Sequence, residues 1–321
     1  MSRRVVTTRK RLRHFVLVAL LAALPAVAIA ADELDWAYPV PPKPEPLDNL
    51  VLKQVPDSTR AYTQAQIDDP FEPPDWFPDE HPPMPQVVAQ GGKPAVRACA
   101  QCHLPTGNGH PESSSLAGLP VPYLLRQMAV FKSGGRKGVR AATMITIAQG
   151  ISDDDALAAS QYFAALEPGI STQVTETDAV PKSYVGAGAM RFAEPGTEKE
   201  PIGNRVIVLP QDEARAKSRD PHSGFIDYVP VGSVAKGEAL VTTGDGGKTI
   251  RCAICHGEAL KGLGEVPSIA GRPPIYVVRQ LNDMKTGARS GISMALMKAV
   301  VDKLTAEDMV AIAAYLGSRA P

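Results

Sequence analysis

The stretch Cys99-Ala100-Gln101-Cys102-His103 recurs as Cys252-Ala253-Ile254-Cys255-His256. These two pentapeptides hold all four cysteines of the 321-residue chain, and the offset between them, Cys99 to Cys252, is 153 residues. Three ordinary readings of such cysteines compete. A C-x-x-C redox disulfide is expected beside a βαβ pattern, which this sequence lacks. A structural zinc site asks for C-x-x-C pairs without an obligatory histidine directly after each. Two disulfides would suit an exported protein. None of these accounts for a histidine placed immediately after the second cysteine, twice.

Covalent haem accounts for it. Two thiols two residues apart add to the two vinyl groups of the porphyrin, and the next residue supplies an imidazole beneath the iron. The expectation is two covalently attached haem c groups, held by Cys99 and Cys102 and by Cys252 and Cys255. His103 and His256 are then the axial ligands.

The motifs are the centres of a longer repeat. Shifted by 153, Leu116-Ala117-Gly118 falls on Ile269-Ala270-Gly271 and Pro120 on Pro273. Tyr123 falls on Tyr276, Arg126-Gln127 on Arg279-Gln280, and Lys132, Gly134 and Arg136 on Lys285, Gly287 and Arg289. Each copy closes on a segment that reads as a helix, with Ser152 or Thr305 as N-cap and acidic residues in the first turn. "PYLLRQMAVF" and "IYVVRQLNDM" read as a second helix in each copy. Strand patterns are scarce, so the fold class expected is all-α, in small units that haem would staple.

This set of features resembles the class I cytochrome c fold, and the tandem arrangement resembles the di-haem cytochromes of the c-four group. The resemblance covers about residues 86–167 and 233–319. It implies that a methionine before the terminal helix closes the sixth iron position, which favours ferrous iron and electron transfer. Met144 lies 41 residues after His103, and Met297 lies 41 after His256. Met294 falls on Ala141 and has no such partner, so the repeat selects Met144 and Met297 as ligands and leaves Met294, Met128 and Met309 as packing residues. The resemblance also implies a proline whose carbonyl accepts a hydrogen bond from the axial histidine. Pro267 fits that role for His256, whereas the first copy has Ser114. The expectation is either an altered redox potential at the first haem or the same carbonyl presented with little consequence. The recurring Lys132, Arg136, Lys285 and Arg289, with Arg126 and Arg279, either approach haem propionates or are ordinary surface charges, the latter being slightly favoured.

Outside the repeat the chain is less regular. Residues 1–30 carry six Lys/Arg, no acidic residue, a short apolar run and Ala28-Ile29-Ala30, which reads as a cleaved secretory signal. The rest has 28 Lys/Arg against 34 Asp/Glu, net −6, which gives no support to nucleic-acid binding. Residues 31–85 form a Pro-rich arm, extended in outline, and Trp76, Phe77 and Phe71 call for part of it to pack on something. His81 and Met84 read as loop residues. Two cytochrome domains are expected at 86–167 and 231–321, joined by a long connection, 168–230, with a short strand at "NRVIVLP" and a polar helix or turn after it. "GSVAKGEALVTTGDGG" reads as a capped first helix of the second copy, shortened to "MPQVVAQGG" in the first.

The function these readings imply is a periplasmic di-haem electron carrier with both irons His/Met-ligated and no catalytic residue. Its partners would be a periplasmic donor dehydrogenase and a terminal oxidase or reductase, with peripheral membrane association compatible. A haem enzyme, either a di-haem peroxidase or a sulfur-compound dehydrogenase, is the rival, as is the cytochrome subunit of a dehydrogenase complex. An enzyme needs an open or displaceable iron site, which the matched methionines argue against.

Overall fold

The computed structural model describes residues 1, 33–43, 50–291 and 293–321; the export signal expected over 1–30 falls, Met1 apart, outside them. In the arm, β1 (Leu52–Lys53) pairs antiparallel with β2 (Tyr62–Thr63), and a one-turn helix α1 (Gln64–Ile67) starts from a capping box of Thr63 and Gln66. Its apolar residues gather on Trp76, buried with Val55 and Ile67, with Tyr62 edge-on at 4.7 Å. The Trp76 indole Nε1 donates to the Ser218 carbonyl at 2.8 Å, so the arm is anchored on the connection rather than hanging as a spacer. His81 bonds Asp75 in a loop and Met84 packs on the neighbouring core.

A first helical set follows: α2 (Gln86–Ala89), α3 (Ala100–His103), α4 (Val121–Lys132), α5 (Ala142–Gly150) and α6 (Asp153–Ala164). The connection is mostly strands. It carries β3 (Thr172–Glu176), β4 (Ala179–Pro181), β5 (Ser183–Val185), β6 (Arg191–Ala193), β7 (Lys199–Pro201), β8 (Ile207–Pro210), the short helix α7 (Glu213–Lys217) and β9 (Phe225–Val229). β9 lies between β3, to which it is parallel, and β8, to which it is antiparallel; β4 with β7 and β5 with β6 form separate hairpin-like pairs. The all-α expectation is therefore corrected to a mainly helical fold with an inserted β-module. The physical reason is visible in β9, where every second residue is buried, Phe225, Asp227 and Val229. The second helical set is α8 (Ser233–Thr243), α9 (Ala253–His256), α10 (Pro274–Thr286), α11 (Met294–Val301) and α12 (Ala306–Gly317).

The offset of 153 holds in space. Adding it to α3 gives the bounds of α9, and adding it to α6 gives the bounds of α12. Loop hydrogen bonds repeat as well: Gly109 N donates to His103 O and Gly262 N to His256 O, both at 2.9 Å. Gly118 N reaches Phe163 O at 3.0 Å, and Gly271 N reaches Leu316 O at 2.9 Å. Both caps form as expected, Ser152 accepting from Asp155 N and Thr305 from Asp308 N. α2 is a single turn, and α8 differs from expectation: Gly232 precedes it in a left-handed conformation without a side-chain cap, and Glu176 of β3 instead accepts from Val234 N at 2.8 Å.

Each set closes on its own apolar cluster. The first centres on Val88, Leu124, Ile147, Tyr162 and Phe163. The second centres on α8, α10 and α12 and takes in Val206, Phe225 and Val229 of the connection with Leu34 and Ala37. Residues 33–321 form one compact unit. Among the described residues no helix is long and apolar enough to cross a membrane.

Candidate haem-binding sites

One helical turn builds each motif. The His103 amide donates to Cys99 O at 3.0 Å and the His256 amide to Cys252 O at 2.9 Å. Residues i, i+3 and i+4 of a turn share a face, so both cysteines and the histidine look the same way. The chain then turns out through positive φ, at Leu104 (62°) in one copy and Gly257 (78°) in the other. Gly109 and Gly262 have no substitute at the next bend. Both have positive φ, and a Cβ would stand 2.4 Å from Ser113 O in the first and 2.7 Å from Val266 O in the second.

The imidazoles are held alike. His103 Nδ1 is 2.8 Å from the Ser114 carbonyl and His256 Nδ1 is 2.8 Å from the Pro267 carbonyl. A carbonyl only accepts, so Nδ1 carries the proton and the Nε2 lone pair is left for a metal. Burial lowers the pKa of both rings, against the raising effect of that hydrogen bond, which favours the neutral ligand form. The Ser114 substitution thus leaves the hydrogen-bond acceptor in place at the same distance.

Burial pushes the Cys99 thiol up to about 12 and the Cys252 thiol up to about 11. Redox and zinc-binding cysteines need a thiolate, which these environments oppose; an uncharged thioether meets no such penalty. Among the described residues no three His, Cys, Asp or Glu side chains converge as a metal-ion cluster.

Cys99, Cys102, His103 and Met144 line one cavity of about 1520 Å³, together with Tyr123 and Phe163. In the second set Cys252 and Met297 pack against the same apolar cluster, Cys255 is exposed and His256 is half-buried. Met297 is the fourth residue of α11, and Met294 is its first.

Of the recurring basic residues, Lys132 is an exposed surface charge and Arg126 lies near the surface, whereas Arg279 and Arg289 are buried and Arg136 is half-buried, which corrects the surface-charge reading for these three. Arg136 and Arg289 meet where the two sets join, with main-chain contacts Lys137 N to Ala288 O at 2.8 Å and Ser290 N to Gly135 O at 2.6 Å beside them. Arg136 donates to Gln127 at 3.1 Å and Gln280 at 2.9 Å; Arg289 donates to Gln280 at 2.8 Å, Gln127 at 3.0 Å and the Tyr123 hydroxyl at 3.2 Å. Both line the cavity, Arg289 is buried, and its Nε has no hydrogen-bond partner among the described residues. Burial pushes Tyr276 up, but Arg136, Arg289 and Arg272 outweigh it and hold the phenol below its ordinary value. Two guanidiniums bonded to neutral amides and a phenol, with Asp283 the nearby carboxylate, leave a net positive lining that suits the acidic propionates of haem. The residues present therefore fit the cofactor. Arg279 is instead taken by Glu112 at 2.9 Å, a buried pair, and Arg126 by Glu265 at 2.6 Å near the surface. The arginine–glutamine joint is the feature that sequence reasoning left unassigned, although the recurrence of these residues at the same offset was its signal.

Residues 234–316 match the family described as cytochrome C oxidase, cbb3-type, subunit III. The thiosulfate dehydrogenase electron acceptor of Thiomonas intermedia is 26% identical over 231 residues, which cover 70% of this chain and 80% of that one. Cytochrome c4 of Azotobacter vinelandii is 25% identical over 243 residues, 72% of this chain and 87% of that one. Cytochrome c-554(548) of Halomonas halodenitrificans is 34% identical over 80 residues, 25% of this chain and 96% of that one. A solved structure of thiosulfate dehydrogenase, TsdBA, from Marichromatium purpuratum aligns over 73% of this chain with a TM-score of 0.50 and 28% identity; the chain spans 39% of that protein's length. From this internal symmetry and these matches it follows that the chain belongs to the class I cytochromes c, whose cofactor is covalently bound haem c, and that its tandem arrangement is similar to that of the di-haem cytochromes c4.

Proposed function

We propose that this protein is an exported carrier of single electrons with two His/Met-ligated haems, in units at 86–167 and 231–321. Cys99 and Cys102 hold the first haem, with His103 and Met144 as iron ligands; Cys252 and Cys255 hold the second, with His256 and Met297. The observation that carries this reading is the matched pair of imidazole–carbonyl contacts, both 2.8 Å, each followed 41 residues later by a methionine at the start of a helix. Each bound haem supplies a one-electron iron couple. The chain's part is to hold neutral imidazoles in a fixed orientation, exclude water with two apolar clusters, and face acidic groups with Arg136 and Arg289.

By analogy with the electron acceptor of Thiomonas intermedia, the donor is a thiosulfate dehydrogenase or a periplasmic dehydrogenase of that kind, and the final acceptor is a terminal oxidase or reductase. The protein acts as a separate carrier or as the cytochrome subunit of such a complex, and makes or breaks no substrate bond itself. The ferric protein is expected to show the long-wavelength sulfur-to-iron absorption of Met ligation. Met144→Ala and Met297→Ala should each remove about half of it, while Met294→Ala leaves it intact. Loss on Met294→Ala, or a high-spin ferric spectrum in the parent protein, would overturn the assignment.

A further inference from the structure

This chain covers its two motif faces differently. On the first, Gln101, between the cysteines, is 5% exposed. Its side-chain amide donates to Asp68 O at 3.2 Å, and its main-chain carbonyl accepts from Arg219 at 2.8 Å. Ala98 N donates to Pro70 O at 2.9 Å, and Arg219 lies 3.7 Å from the Asp68 carboxylate. The arm and the connection that supply these contacts are locked to each other by the Trp76–Ser218 bond and by Phe77 against His222 at 4.1 Å. The first face is thus already occupied, by the protein's own chain.

On the second, the counterpart of Gln101 is Ile254, 63% exposed beside the exposed Cys255. Leu296, 75% exposed, neighbours Met297. If Cys255 and Met297 engage one haem, Ile254 and Leu296 border that haem. Ile250 and Leu263 are exposed as well, and the residues 153 earlier than these four are Arg97, Gln101, His110 and Thr143, none of them aliphatic. Exposed apolar side chains on the motif segment and on α11 of the same half mark an interaction surface. Most of the charges flanking it are paired within the chain, Arg251 with Glu258 and Lys298 with Asp302, and Lys261 is an exposed charge among them. Such a rim offers little long-range steering.

We infer that protein partners dock on the second motif's face and not on the first, and that the occupant is a redox protein whose own cofactor edge is ringed by apolar side chains with few uncompensated charges. This rests on the electron-carrier reading. In each encounter one electron passes from the reduced partner, which is oxidised, to this protein, which is reduced; no atom moves.

The test uses the full-length haem-loaded protein, a reduced mono-haem class I cytochrome c as the protein probe, and hexaammineruthenium(II) as a small one. Hydrogen-exchange protection by the protein probe is expected over 250–263 and 294–298, and not over 68–81 or 98–103. Ile254→Glu and Leu296→Glu, the second lying outside the motif, should each slow reduction of both haems by the protein probe about tenfold. Reduction by hexaammineruthenium(II) should change by less than about twofold, since a small ion needs no apolar docking face. Ile170→Glu, exposed at the start of the connection, should leave the protein-probe rate unchanged, and the parent rate should vary little between low and physiological ionic strength. Protection over the first motif, unchanged rates in both glutamate variants, or a steep salt dependence would overturn the inference while leaving the carrier reading standing. A parent protein that accepts electrons from neither probe would overturn the carrier reading and this inference with it.

Discussion

Ser114 and Pro267 differ in side chain and agree in the atom that matters. Each presents its carbonyl to the Nδ1 of an axial histidine at 2.8 Å, so the substitution gives no reason for the two irons to differ in ligand basicity. Ser114→Pro is accordingly expected to leave the first haem's midpoint potential nearly unchanged in a redox titration; a large shift would show that the Ser114 side chain tunes the iron. The cysteines and histidines were readable from sequence because their chemistry demands contiguity within one helical turn. Arg136 and Arg289 were not. Their burial is decided by how the two halves meet, with Gln127 and Gln280 serving both guanidiniums, and no local pattern encodes that contact. Gln101 escaped for the same reason, its partners lying 33 and 118 residues away.

Helices were the legible elements, because caps and apolar spacing are local. α12 begins at Thr305 with a reciprocal capping box to Asp308. Burial alone would push Asp308 up, but Lys248 at 2.7 Å, Thr305 and Lys236 hold it down to about 2. A carboxyl depressed in the folded state stabilises fully above its unfolded value of about 4, and that contribution is lost as pH falls through about 2. Asp308→Asn should therefore cost on the order of 2 kcal/mol at neutral pH, with the parent and variant converging in urea titrations near pH 2. The strands were less legible because most are two to four residues long, several hold proline, and pairings such as β3 with β9 span the whole connection. β9 carries the opposite case to α12. Asp227 is fully buried, neither carboxylate oxygen has a partner among the described residues, and burial pushes it well above the ordinary carboxylate range. The folded state then binds its proton more tightly than the unfolded state, so its contribution falls as pH rises from about 4 towards the folded value. Asp227→Val is expected to raise stability by about 1–3 kcal/mol at neutral pH, and by less at pH 4; thermal melts at the two pH values check the sign.

At the scale of the molecule, two small helical sets converge on Arg136 and Arg289, which share the nearby Asp283 and, among the described residues, make no direct ion pair with a carboxylate. Apolar clusters of this size are marginal without a staple. A chain with all four cysteines changed to Ala, and hence no attached haem, is expected to lose most of its helical circular dichroism and to expand in small-angle scattering. Retention of the compact form would mean that the arginine joint is satisfied without the cofactor. The connection meanwhile does more than span a gap. Glu176 of β3 accepts the Val234 amide at the start of α8, and Gly317 near the end of α12 lies close enough to Val174 of β3 that a Cβ would stand 3.2 Å from it. The second half is therefore not an interchangeable cassette. Transplanted from residue 231 onward, it would leave behind the carboxylate that starts its first helix and the strand that backs its last, so a functional graft has to begin upstream of Thr172, at the price of carrying the β-module along.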